Sequence, residues 1–206
     1  ACLAGEVFWI QTPTGRGTIS MALTINLAAV ITLPPAMSFP AVALSTLIVG
    51  IYPHRRPLHR ALFNAAQSVL ACSAAFTVLK LLTPAHDPLA VMKTTPWPAL
   101  FGAGAAFFLV NTGLVAMAIA LKRGQPFIAA WLENYGYGFE LACTVAMISL
   151  TGFVLMAYEQ IGPTAILFLL PILAVLWWSS AREAQSRRSL RVRDSEENDD
   201  SMRLAG

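Results

Sequence analysis

Few side chains in this sequence are equipped for chemistry, and most of them stand inside apolar runs. Asn26, Asn64, Gln67, Asn111 and Thr112 fall within stretches that read as membrane helices, and Glu140 falls near the start of another. An amide or hydroxyl at that depth has no bulk water to bond. It either bonds a neighbouring helix or lines a small polar pocket for a ligand or an ion. Asn64 and Gln67 are three positions apart and share a helix face. Asn111 lies near the middle of its run. An ionised Glu140 must pair or reach the interface. Glu133 and Glu140 would share a face only if one helix ran through Gly136 and Gly138, so anchoring or pairing with a basic loop is the expectation, ahead of a paired-acid proton site.

The remaining reactive types point away from catalysis. His54, His59 and His86 all stand in loops, and the five-residue step from His54 to His59 does not put two ligands on one helix face. No run of apolar residues contains a histidine, which argues against an axially ligated pigment or haem. Cys2, Cys72 and Cys143 are scattered, and the last two read as small packing residues. There is no phosphate-binding glycine loop, nucleophile elbow or basic-aromatic surface for nucleic acid. The expectation is therefore a protein with no catalytic, metal or cofactor residues and no cofactor required.

The elements that must position the polar residues follow from the composition. The 206 residues are 56% hydrophobic and 12% charged, about half the charged share of a soluble domain. The sequence predicts an all-α integral membrane bundle of about six spans, residues 18–180, between an interfacial segment (1–17) and a charged cytoplasmic tail (181–206). Thr18 to Leu33 and Ala36 to Tyr52 are short and separated by Pro34-Pro35; they read as a hairpin that crosses fully or only re-enters. Ala61 to Leu82 and Ala99 to Leu121 are clear spans. Phe127 to Asn134 is a short amphipathic piece, Tyr135 to Tyr158 a fifth span and Thr164 to Ser180 a sixth.

Lys and Arg sort to one side of this scheme. Arg55, Arg56 and Arg60, then Lys122 and Arg123, then Arg182, Arg187, Arg188, Arg191 and Arg193 fall on one face of the membrane, against Lys80 and Lys93 on the other. The positive-inside rule makes the first face, with both termini, cytoplasmic. The tail arginines could each hold an anionic headgroup for about 1 kcal/mol, or form a docking strip for a partner. Trp9, Trp97, Trp131, Trp177 and Trp178 sit near span ends, where indoles favour the membrane interface or a protein contact.

Three short motifs add a resemblance. FNAAQ (Phe63 to Gln67), VNT (Val110 to Thr112) and WLEN (Trp131 to Asn134), within RRPLHRALFNAAQSVLA, FFLVNTGLVAMAIALKRGQPFIAAWLENY and the later GPTAILFLLPIL, resemble the N-terminal membrane domain of bacterial HD-GYP-type proteins in order and spacing. The similarity runs from about residue 15 to 176. It implies a sensor-like membrane module of the bacterial inner membrane. The phosphohydrolase that follows that module in the family has no counterpart in the last 26 or so residues, which hold no His-Asp pair, so that activity is not implied. The span layout is also similar to the substrate-binding subunits of energy-coupling-factor vitamin transporters, an analogy of topology alone.

The function expected from these readings is a non-enzymatic accessory or structural subunit of a larger membrane complex, such as a photosynthetic or respiratory assembly, in contact with lipids and other membrane subunits. The alternatives are a sensor or small-ligand module using Asn64, Gln67, Asn111, Thr112 and Glu140, and the binding subunit of a transporter.

Overall fold

The structure is a computed structural model that describes residues 9–11, 18–20, 22–52, 55–83, 97–135, 138–162 and 164. Six helices carry the described residues: α1 (Ala22–Thr32), α2 (Pro35–Ile51), α3 (Leu58–Leu82), α4 (Trp97–Arg123), α5 (Phe127–Tyr135) and α6 (Gly138–Ile161). Three helical stretches, Leu58–Leu82, Trp97–Arg123 and Leu141–Ile161 within α6, are long and apolar enough to cross a membrane.

The first helix starts later than the sequence suggests. Thr18–Ser20 is a strand, β2, paired antiparallel with β1 (Trp9–Gln11), with Ile10 opposite Ile19. β-Branched Thr18 and Ile19 favour the extended form, and helix begins only at Ala22. At 11 residues α1 rises about 16 Å, well short of the roughly 30 Å hydrocarbon core. Pro34 and Pro35, which lack N–H donors, stop it, and Pro35 then opens α2 as its first helical residue.

Short as it is, α1 holds the centre. It packs against α2, α3, α4 and α6, and Thr24, Asn26 and Leu27 are each no more than 1% exposed. Leu27, Val30 and Ile31 meet Val42 of α2, Ala71, Cys72 and Ala75 of α3, Ala103 and Phe107 of α4 and Ile148 of α6 in one core cluster.

Side-chain size is distributed in the manner of a membrane protein. The buried stripe of α3 includes Ala61, Ala65, Ala71, Cys72 and Ala75; that of α4 includes Ala99, Ala103, Gly104, Ala116 and Ala120. Leu79, Leu100 and Phe107 are buried with them, but many of the large residues face out: Leu62, Phe63, Leu70 and Leu81 on α3, Leu109, Met117 and Leu121 on α4. Hydrocarbon tails are as apolar as leucine, so helix contact rests on close approach of small residues rather than on hiding large ones. The closest approaches confirm this. Gly50 of α2 abuts Ala61 of α3, Gly104 of α4 faces the Ile148 side chain of α6, and Gly152 of α6 lies under Trp97 and Leu100 of α4. Between α2 and α3 the Phe39 and Phe76 rings meet edge-on, centroids 6.3 Å apart.

The α4–α5 turn has its own chemistry. Gly124 adopts φ +64°, and the N–H of Gln125 bonds the Ala120 carbonyl at 3.1 Å. This is the six-to-one closure of a helix end, for which glycine is favoured because it has no Cβ to clash at positive φ. Pro126 then prevents α4 from continuing.

Candidate functional site

Two of the polar residues expected within spans meet directly. Gln67, on the buried stripe of α3, donates from Nε2 to both the backbone carbonyl and the side-chain Oδ1 of Asn111 in α4, each at 2.8 Å. One amide thus links α3 to α4 across 44 positions of sequence. Both groups are neutral, so the link carries no cost of burying charge. A double-mutant cycle with Gln67→Leu and Asn111→Leu is expected to give a coupling of about 1 kcal/mol in detergent unfolding. Simple additivity of the two changes would mean that the bond contributes nothing.

The next residue extends the cluster. Thr112 Oγ1 donates to the Phe108 carbonyl at 2.7 Å and accepts from Trp131 Nε1 at 3.1 Å. Trp131 was expected at the membrane interface, yet its indole bonds a residue deep along α4. Thr112 lies about 16 Å of helical rise from Arg123 at the end of α4. Glu133 reaches back to Arg123, N to O 3.7 Å, with both side chains about half exposed, a pair worth little by itself.

The pairings of Gly104 with Ile148 and of Gly152 with Trp97 show that α4 and α6 run antiparallel. Counting ten residues, about 15 Å, back from Ile148 puts the start of α6 level with residues 112–114 of α4. The short helix α5 therefore descends from the Gly124 turn, and α6 takes up the path partway down. The start of α6 thus lies near the level of Gln67, Asn111, Thr112 and Trp131 along α4. These four residues are the ones that FNAAQ, VNT and WLEN contribute.

A second polar group lies on α1. Thr24 Oγ1 bonds the Met147 carbonyl of α6 at 3.1 Å, and Thr151 Oγ1 donates to the same carbonyl at 2.9 Å. Two positions along, Asn26 is 1% exposed, and neither its Nδ2 nor its Oδ1 has a hydrogen-bond partner. Ser38, in the first turn of α2, is equally buried, and its Oγ has no partner either. The sequence marks Asn26 as polar within a span but gives no reason to rank it above the others. Its burial depends on a central position for α1 that no local pattern encodes.

Among the other expected site residues, Asn64 is half-buried, three positions before Gln67, and Glu140 stands in the first turn of α6. Trp97 is 48% exposed, its ring 6.2 Å from that of Phe101. Trp9 opens β1. Trp177, Trp178, Arg182, Arg187, Arg188, Arg191 and Arg193, with residues 165–180 of the expected sixth span, lie outside the described residues. Among the described residues no group of three His, Cys, Asp or Glu could hold a metal ion. Comparison of the chain with family models, with curated proteins and with solved structures finds no match.

Proposed function

We propose that this chain is a sensor-like, ligand-binding module of the bacterial inner membrane, with the short helices α1 and α2 forming a re-entrant hairpin, both termini in the cytoplasm, and no catalysis of its own. The observation that supports it is the convergence of Gln67, Asn111, Thr112 and Trp131. Three motifs far apart in sequence supply one polar cluster near the level at which α6 starts. Interrupted helices at membrane depth are places where backbone and side-chain polar groups become available to a ligand. The clustering of Lys and Arg at Arg55, Arg56, Arg60, Lys122 and Arg123 supports the orientation.

A second reading, an accessory subunit of a larger membrane assembly, is favoured by the outer face of α6. There Leu141, Val145, Phe153 and Met156 form an exposed apolar surface that suits a neighbouring helix as well as lipid. Extraction from native membranes in mild detergent, followed by a native gel and mass spectrometry, separates the two. Migration alone or as a small homo-oligomer is the expected result for the module. Stoichiometric co-migration with a large complex would overturn it in favour of the subunit.

A further inference from the structure

We infer that the loop between α2 and α3 is a headgroup site for an anionic phospholipid, with Arg55, Arg56 and Arg60 around the phosphate and the acyl chains along the outward face of α3. This goes beyond the module reading and needs only that α3 crosses the membrane, for which it is long and apolar enough. All three arginines are exposed, and among the described residues none of them makes an ion pair. The backbone that carries them is pinned at both sides. The Arg56 N–H bonds the Gly50 carbonyl at 2.9 Å, and Gly50 abuts Ala61 of α3.

The charge is placed against the local preference of the helix. A helix start carries partial positive charge, and acidic residues favour it. The first turn of α3 has no acidic residue and holds Arg60, and Pro57 supplies no capping side chain. The N–H groups of Leu58 and His59 have no preceding turn to bond. Arginines, dipole and N–H groups all favour a phosphate at the same place. The apolar neighbours make that phosphate a lipid's. Tyr52 at the end of α2, and Leu58 and Leu62 one helical turn apart on α3, are exposed next to the arginines. A free phosphate makes no use of them, whereas acyl chains can lie along them toward the bilayer interior.

The α4–α5 turn supplies the contrast. Gln67 bonds Asn111 and Gly102 approaches Val78, so α3 and α4 run antiparallel and the start of α3 lies near the level of Lys122 and Arg123. There Arg123 has Glu133 as a counter-charge. Two basic turns thus share one side of the membrane, and among the described residues the one before α3 is uncompensated.

The test is native mass spectrometry of the full chain in mild detergent, titrated with phosphatidylglycerol or with phosphatidylcholine of the same acyl chains. The first phosphatidylglycerol is expected to bind about a hundredfold more tightly than the first phosphatidylcholine, roughly fivefold from each arginine. Arg56→Gln and Arg60→Gln are each expected to cut the preference about fivefold with unchanged thermal melting, and Lys122→Gln with Arg123→Gln to leave it within about twofold. No preference in the wild type, or equal losses in the two sets of variants, overturns the site in favour of diffuse charge on that face. A preference that emerges only when Asp194, Glu196, Glu197, Asp199 and Asp200 are changed to their amides gives the loop to the chain's own acidic run instead. Displacement of the bound lipid by an equal concentration of glycerol phosphate would make it a free phosphate site and overturn the lipid assignment. None of these results depends on how the protein migrates on the native gel, so the module reading stands or falls by its own experiment.

Discussion

Leu27→Ala is expected to destabilise the bundle by about 2–4 kcal/mol, whereas Leu44→Ala is expected to change it by less than about 0.5 kcal/mol. The two substitutions delete the same atoms. Leu27 is fully buried on α1 where it meets four other helices, and removing its side chain leaves a cavity that small members of the same core cluster such as Ala71, Ala75 and Ala103 cannot fill. Leu44 is 58% exposed on α2. It faces outward, and in the membrane a lipid tail replaces the contacts it loses. Unfolding of both variants in mixed detergent micelles, followed by helical circular dichroism, measures the difference. Equal costs would mean that the outward apolar faces are packed against protein, and would favour the subunit reading over the module.

Gly104→Val tests the opposite error, too much volume, with an expected cost of about 1–3 kcal/mol. A Cβ at this position runs into the Ile148 side chain, both of whose γ carbons crowd it. Ile148 is itself 3% exposed, with little room to turn aside. The strain falls on the contact between α4 and α6, and so on the placement of α6. Ile148→Ala in the same chain opens the space and is expected to restore most of the loss. A double variant no more stable than Gly104→Val alone would show that the two helices do not meet at this pair. Gly113 of the same helix provides the control, since a Cβ there meets nothing within 4 Å.

Much of the helical layout was legible because apolar runs and proline breaks are local signals. Pro34-Pro35, Pro57 and the Lys122 to Pro126 turn stand at helix boundaries in the structure. Gln67 and Asn111 could be singled out from sequence, since an amide inside an apolar run is visible without knowing its partner. What could not be read was who meets whom. Trp131 looks like an interfacial anchor because α5 is short and amphipathic, and only the depth of its neighbour Thr112 gives it another position. The strand at Thr18–Ser20 was missed because a Thr-Ile-Ser-Met stretch leading into an apolar run reads as a helix start as easily as a strand, and the pairing with Trp9–Gln11 is non-local. Asn26 was legible as a residue but not as an orphan, because satisfaction is a property of everything packed around it.

The brevity of α1 has a consequence for the order in which the protein is made. Ribosomes deliver α1 ahead of every helix that covers it. On its own it is too short to be held across a bilayer, and it carries Thr24 and Asn26 into whatever surrounds it. The carbonyl that Thr24 bonds belongs to Met147, more than a hundred residues further along the nascent chain. This helix therefore reaches its final place late, once α3, α4 and α6 are inserted and can enclose it. Until then the centre of the bundle must wait at the membrane surface or under another protein.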